Sequence, residues 1–276
     1  MSLPVPPYFD FLIEEFRPGA SSRFVHLGHW ESPAPGLEPP SEPGEFARAQ
    51  AMLDAYLLEL ADLRAGQTLL DIGCGFGGTL DTINRRLDNM RLTGVNIDPR
   101  QLDICRGVEA RNGNLMLWEE ADACALPFAN SSFDRALCIE AMFHFRSRRE
   151  FFREAARVLK PGGVLVASDI VLSQACIPLR ASNPGIEAVL ANGYGPWPDF
   201  WGDDADHATL AAAAGLGCRI LDATPNTLRS HRFTVPAGLD ERRDPGEPTL
   251  RAGLMLRRLH RDGLLNYLYI RCDKPA

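Results

Sequence analysis

The segment Thr68–Leu80, TLLDIGCGFGGTL, places Gly73, Gly75, Gly77 and Gly78 within six residues, directly behind an apolar run. Glycine lets a backbone turn sharply and lets a ligand approach it closely. A strand, such a loop and then a helix form a site for a dinucleotide or another adenosine-bearing cofactor. Gly73, Gly75 and Gly78 fit the G-x-G-x-x-G spacing, so the glycines alone admit a nicotinamide cofactor. Three other residues turn against it. Asp71, at the strand end, would repel a pyrophosphate and suits a cation such as an ammonium or a sulfonium. Asn96 stands at the end of the second strand, where a nicotinamide-binding chain carries an acid for the ribose. Asp122 follows the third strand in EEADACALPF, where an acid can accept a hydrogen bond from an adenine amino group.

A second set of residues suits proton handling. CIEAMFHF puts Glu140 and His144 just past the fourth strand, and VASDIVL puts Asp169 at the end of the fifth. A positioned histidine is the commonest means of taking the proton from a hydroxyl nucleophile, worth ~10²–10⁴ in rate. A carboxylate beside it orients the imidazole and stabilises its charged form. The plainer readings are a histidine that is simply hydrogen-bonded and a Glu140 that caps the next segment.

The elements that must position these residues follow from periodicity. Apolar positions at helical spacing over 46–64 predict a helix stopped by Gly66. Strands are predicted at 68–72, 91–97, 115–119, 133–139 and 164–170, with helices at 80–87, 100–110 and 149–158 between them. Lys160-Pro161-Gly162-Gly163 reads as a turn. Alternating strands and helices mean a parallel α/β sheet covered on both faces, with ligands at the C-terminal strand ends. The alternation breaks over 172–205, which carries Tyr194, Trp197, Phe200 and Trp201, and resumes with a helix at 208–214 and a strand at 218–223. Residues 224–248 read as loop, 250–261 as helix and 264–271 as a last strand.

Composition bounds the rest. The 276 residues are 45% hydrophobic and 24% charged with a formal net charge of −7, which disfavours nucleic-acid and anionic-membrane partners. The short arginine runs read as solvated helix faces. Seven scattered cysteines without a C-x-x-C pair suggest neither a disulfide framework nor a zinc site, and no metal is expected. The N-terminus lacks the pattern of a secretory signal, and no apolar run approaches ~20 residues. A cytoplasmic location is the simplest expectation.

LLDIGCGFGGTL, GVNIDPRQLDIC, EADACALPFANSSFDRALCIEAMFHF and EAARVLKPGGVLVASDIVL resemble, in order and spacing, the successive motifs of class I S-adenosylmethionine-dependent methyltransferases. The resemblance covers about residues 46–171. It implies a Rossmann-like, seven-stranded sheet with a reversed final hairpin, in a domain spanning 46–276. Residues 1–45 would form an N-terminal lid and Pro-rich loop, and 172–205 a substrate cap. It further implies S-adenosylmethionine as cofactor. Asp71, Gly73, Gly75 and Gly77 would hold its amino-acid end, Asn96 and Gln101 its ribose, Asp122 and Ala123 its adenine, with Glu140 also among its contacts. Most members carry an acid where Asn96 stands. The subgroup resembling cyclopropane synthases and natural-product methyltransferases lacks it and places a Gln five residues on, as Gln101 is placed here.

The His144/Asp169 pair looks like that of small-molecule O-methyltransferases of secondary metabolism, antibiotic pathways included. His144 would be the base and Asp169 its partner or a substrate ligand. Tyr194, Trp197, Phe200, Trp201 and His231 would contact the acceptor, a small molecule; a plain aromatic core is the competing reading. N- or C-methylation comes second. A cofactor-binding protein without transferase activity comes from a different class, and a homodimer stays open.

Overall fold

The computed structural model describes residues 5–16, 23–31, 42, 44–179, 185–198, 207–236, 239 and 244–276. Phe200 and Trp201 lie outside the described residues, as does most of the Pro-rich loop.

Seven strands form one sheet: β1 Thr68–Ile72, β2 Arg91–Asn96, β3 Leu115–Glu120, β4 Phe133–Ile139, β5 Leu159–Leu172, β6 Gly217–Asp222 and β7 Leu265–Asp273. Their order is β3-β2-β1-β4-β5-β7-β6. The first five pair in parallel, and β7 runs antiparallel between β5 and β6, giving the reversed final hairpin. The strand order reverses between β1 and β4, so the C-terminal ends of these neighbours open the crevice where such sheets bind ligands.

The helices named here are α1 Tyr8–Glu15, α2 Glu45–Ala61, α3 Gly78–Arg86, α4 Pro99–Cys105, α5 Arg148–Val158, α6 Gly185–Tyr194, α7 His207–Ala213, the single turns α8 Thr224–Thr227 and α9 His231–Thr234, and α10 Pro248–Arg261. Their starts follow local chemistry. Asp98 accepts from the Arg100 N–H with Pro99 at the first helical position, and Ser147 accepts from the Glu150 N–H. Two apolar layers sandwich the sheet, one gathering Leu53, Leu57, Leu80 and Tyr267, the other Leu70, Phe151, Phe152 and Leu210.

Several boundaries depart from the periodicity. α2 ends at Ala61, with Asp62 in the left-handed region at φ 47°, rather than at Gly66. The presumed turn Lys160–Gly163 lies inside β5, whose register against β4 jumps from Phe133↔Leu159 to Arg135↔Val164. Gly162, at φ 73°, lets this bulge form within continuous pairing. The loop reading of 224–248 is corrected by α8, α9 and the start of α10. α4 stops at Cys105, short of Ala110.

Candidate active site

Two adjoining cavities open at the C-terminal ends of β1, β2 and β4. The smaller, about 190 Å³, is lined by Gly73, Gly75, Asn96, Gln101, Asp122, Ala123, Glu140 and His144 among others. The sequence scatters these residues over seventy positions, and the parallel sheet gathers them because β1, β2, β3 and β4 all end on one side.

The glycine loop forms the floor. Gly73 sits at φ 80°, and a Cβ there would lie 2.5 Å from the Ala141 Cβ. Gly75, at φ 52°, would meet the Val25 side chain at 2.8 Å. Only glycine takes both the conformation and the space without strain. The Gly73 and Cys74 N–H groups donate to the Val95 carbonyl, fixing the loop on β2. Gly77 does not line the cavity. It caps α3 at φ 78° and faces the Trp118 ring.

Asp71 also stands behind the loop rather than in the cavity wall. It is 3% exposed and has no hydrogen-bond donor among the described residues. Burial, and then the nearby Asp54, push its carboxyl up to about 8. A buried carboxylate without a cation is costly, so this position is electrostatically prepared for a positive charge.

On the opposite wall, Asn96 Nδ2 donates to Gln101 Oε1 at 3.0 Å and Asn96 Oδ1 accepts from the Asp98 N–H. Gln101 Nε2 is buried with no partner. This orphaned donor is what a ribose hydroxyl would satisfy. Asp122 accepts from the Cys124 N–H at 2.8 Å and pairs with Arg146 at 3.3 Å, so Arg146 joins this end of the cavity. Orphaned Gln101, the glycine floor and the buried Asp71 carboxyl, which a cation would ionise, all fit an adenosine-bearing cofactor with an ammonium-bearing tail.

The larger cavity, about 550 Å³, is walled by Tyr8, Phe46, Phe143, Tyr194, Trp197, His231 and Phe233 among others. His144 and Glu140 belong to both cavities and stand at their junction. His144 ends a 3₁₀ turn, Met142–His144. Its Nδ1 lies 3.4 Å from the Pro196 carbonyl, which can only accept, so Nδ1 carries the proton. Its Nε2 is then the bare nitrogen, and the Tyr8 hydroxyl donates to it at 3.0 Å. Burial pulls the His144 pKa down to about 4, which keeps the ring neutral. Glu140 holds φ 51°, a strained value for a non-glycine residue. Its Oε2 accepts from the Tyr267 hydroxyl at 2.7 Å and the Leu27 N–H at 2.9 Å. Burial raises its carboxyl to about 7.

Asp169 is not paired with His144. It is fully buried, accepting from Arg148 Nε and His207 Nε2, each at 2.7 Å, and from the Ile170 N–H. Burial pushes its carboxyl up, but Arg148 and His207 outweigh that and hold it below its ordinary range. It lines neither cavity, and its role as described by these contacts is to tie β5 to α5 and α7. Burial also holds His231 neutral; it lines the larger cavity, and its Nε2 lies 3.0 Å from Nδ1 of His260, which ties the ring to α10. Sequence reasoning missed Tyr8, Arg146, His26 and Pro196. Tyr8 carried a weak signal, as one of the aromatics of the N-terminal segment.

The sheet order is that of the Rossmann-like, seven-stranded methyltransferase fold. Residues 70–167 match the family model described as a methyltransferase domain. Among similar proteins are the methyltransferase GfsG of Streptomyces halstedii, 37% identical over 150 residues (54% of this chain, 51% of that one), and 27-O-demethylrifamycin SV methyltransferase of Amycolatopsis mediterranei, 35% identical over 150 residues (54% and 52%). The chain spans about half the length of the curated relatives it matches. A cyclopropane synthase of Mycobacterium tuberculosis shares the fold at TM-score 0.71 and 20% identity, over 91% of this chain and 90% of that one. So does the [4+2]-cyclase SpnF, at 0.69 and 21%, over 98% and 93%. The last likeness shows that the fold alone does not assign methyl transfer.

Proposed function

We propose that the protein transfers the methyl group of S-adenosylmethionine to a hydroxyl of a small secondary metabolite, with His144 as general base. The observation that carries this is the position of His144 at the junction of the two cavities, with Nε2 as its bare nitrogen. The cofactor supplies an electrophilic methyl when bound; the chain aligns, desolvates and manages the proton. Asp71, Asn96, Gln101 and Asp122 would hold the cofactor from around and behind the smaller cavity. Tyr194, Trp197 and His231 would wall the acceptor. The Tyr8 hydroxyl now fills the place of an acceptor hydroxyl at His144 Nε2, and would yield it or pass the proton on. The relatives named for methyl transfer to 27-O-demethylrifamycin SV and to erythromycin support the class of acceptor.

Replacing His144 with Ala tests it. With S-adenosylhomocysteine binding intact, methyl transfer to a hydroxyl acceptor should fall ~10²–10⁴-fold. A variant that keeps full activity would favour an amine acceptor, which needs less help with its proton. Failure of the wild type to bind S-adenosylmethionine would leave a non-transferase reading.

A further inference from the structure

The larger cavity has a one-sided electrostatic character. Among its described lining residues stand Glu15, Glu140 and Glu247 but neither Lys nor Arg. Its three histidines are no substitute for a cation: burial pulls His26 and His144 down to about 4 and holds His231 below its ordinary value. An anionic group entering here would meet carboxylates and no countercharge.

The carboxylates are not equivalent. Glu15 is exposed at the rim, and Glu247 is exposed and occupied in capping α10 through the Thr249 and Leu250 N–H groups. Glu140 is the inner one. Both its donors, Tyr267 and Leu27, serve Oε2, and Oε1 accepts nothing from the described residues. Beside it, His26 Nδ1 is engaged with the Leu27 carbonyl at 2.7 Å, which places the proton there. His26 Nε2 is left a buried lone pair without a donor. His26 is 6% exposed and belongs to the walls of both cavities, as Glu140 does. Two unfilled hydrogen-bond acceptors, joined through Leu27, therefore belong to side chains that wall the same cavity as the rings of Tyr8, Phe143, Tyr194 and Trp197. Buried acceptors of this kind call for a donor, and aromatic faces favour a cation over an anion.

We infer that the acceptor carries a protonated basic nitrogen seated against Glu140, with His26 as its second hydrogen-bond acceptor and its apolar body in the aromatic chamber. This rests on the methyl-transfer reading above and deepens it: the acceptor is an amino alcohol on a bulky apolar frame. Protonation at the nitrogen takes its lone pair out of play, and the neighbouring hydroxyl is left to His144.

The test uses three probes of one shape: 2-naphthylmethylamine as its ammonium ion, neutral 2-naphthylmethanol, and anionic 2-naphthoate. Their affinities are measured by calorimetry on the full chain at pH 7, with and without S-adenosylhomocysteine. The ammonium ion should bind at least about tenfold more tightly than the alcohol, as expected for a charge-assisted hydrogen bond in a desolvated site, and naphthoate more weakly than either. Glu140→Gln should remove most of that preference, and His26→Phe part of it. Equal or tighter binding of the alcohol or of naphthoate by the wild-type chain overturns the proposal, and this arm needs no variant to fold. An ammonium preference that survives Glu140→Gln in full overturns it too. Binding of S-adenosylhomocysteine, recorded in the same series, reports separately on the methyltransferase reading. A chain that prefers the ammonium ion but ignores the nucleoside would sink that reading and leave the cation site standing without a methyl acceptor.

Discussion

At the scale of single residues, the site is set by groups whose charge state is governed by burial. Asp71 is the clearest case. Its folded-state pKa, pushed up to about 8, lies above the value near 3.9 of an unfolded chain. Its contribution to stability is therefore complete below pH 4 and is lost as the pH rises through 8. Asp71→Asn removes that loss. The apo variant should melt higher than the wild type by an amount that grows from pH 4 to pH 8 and is flat above, on the order of 1 kcal/mol or more at the plateau. The same change should weaken binding of the ammonium-bearing S-adenosylhomocysteine by about tenfold. Thermal melts across pH together with one titration check both halves. His144 works the other way. Its pKa is lowered to about 4, so its contribution is present above pH 6.5 and is lost as the pH falls through 4. It stays neutral, and able to take a proton, across the physiological range.

At the scale of elements, the sheet holds its ends by one buried polar knot. Asp169 on β5, Arg148 on α5 and His207 on α7 are each at most 1% exposed, and Asp169 accepts from both of the others. Removing one partner of such a pair strands the other charge, a loss of about 3–5 kcal/mol. Asp169→Asn should accordingly lower the unfolding free energy by that order in a urea titration. For the folded fraction, the pH profile of turnover should keep the shape it has in the wild type, because His144, the proposed base, is not bonded to Asp169. A profile reshaped as strongly as by loss of His144 would return Asp169 to the catalytic role. Packing between β2 and β3 is equally exact in its demand at Gly94, where a Cβ would lie 2.5 Å from the Trp118 ring. Gly94→Ala should destabilise the fold by about 1–3 kcal/mol, since the indole must leave its place over the glycine loop. A melt within a degree of the wild type would show that the ring moves freely.

For the molecule as a whole, the N-terminal segment reaches the two cavities while burying little of itself. α1 buries none of its residues, yet its Tyr8 reaches His144 and belongs to the walls of both cavities. Removing residues 1–16 should leave the unfolding transition nearly unchanged while lowering kcat/KM at least about tenfold, as for a lid that excludes water from a reacting centre. Loss of the cooperative transition itself would make the segment part of the core. Among the described residues no helix is long and apolar enough to cross a membrane.

The sequence by itself determined the alternation of elements, because side-chain burial repeats every 2 residues in a strand and every 3.6 in a helix, and each element reads its own pattern. β4 at Phe133–Ile139 and β1 at Thr68–Ile72 are read to the residue. It also determined the glycine floor, since positive φ at Gly73 and Gly75 leaves a chemical mark in the letters. The residues expected at the smaller cavity, Asn96, Gln101, Asp122 and Ala123, follow strand ends, and a parallel sheet brings all such ends to one side. What the letters could not carry is partner choice between distant elements. Asp169 had a plausible histidine in His144, and the fold gave it Arg148 and His207 instead, 38 positions away on α7. His144 in turn received a tyrosine from 136 positions upstream. Such contacts depend on how helices seat on the sheet, where packing over many atoms outweighs any one pair. The charge of the larger cavity is of the same kind, visible only once its lining is assembled in space.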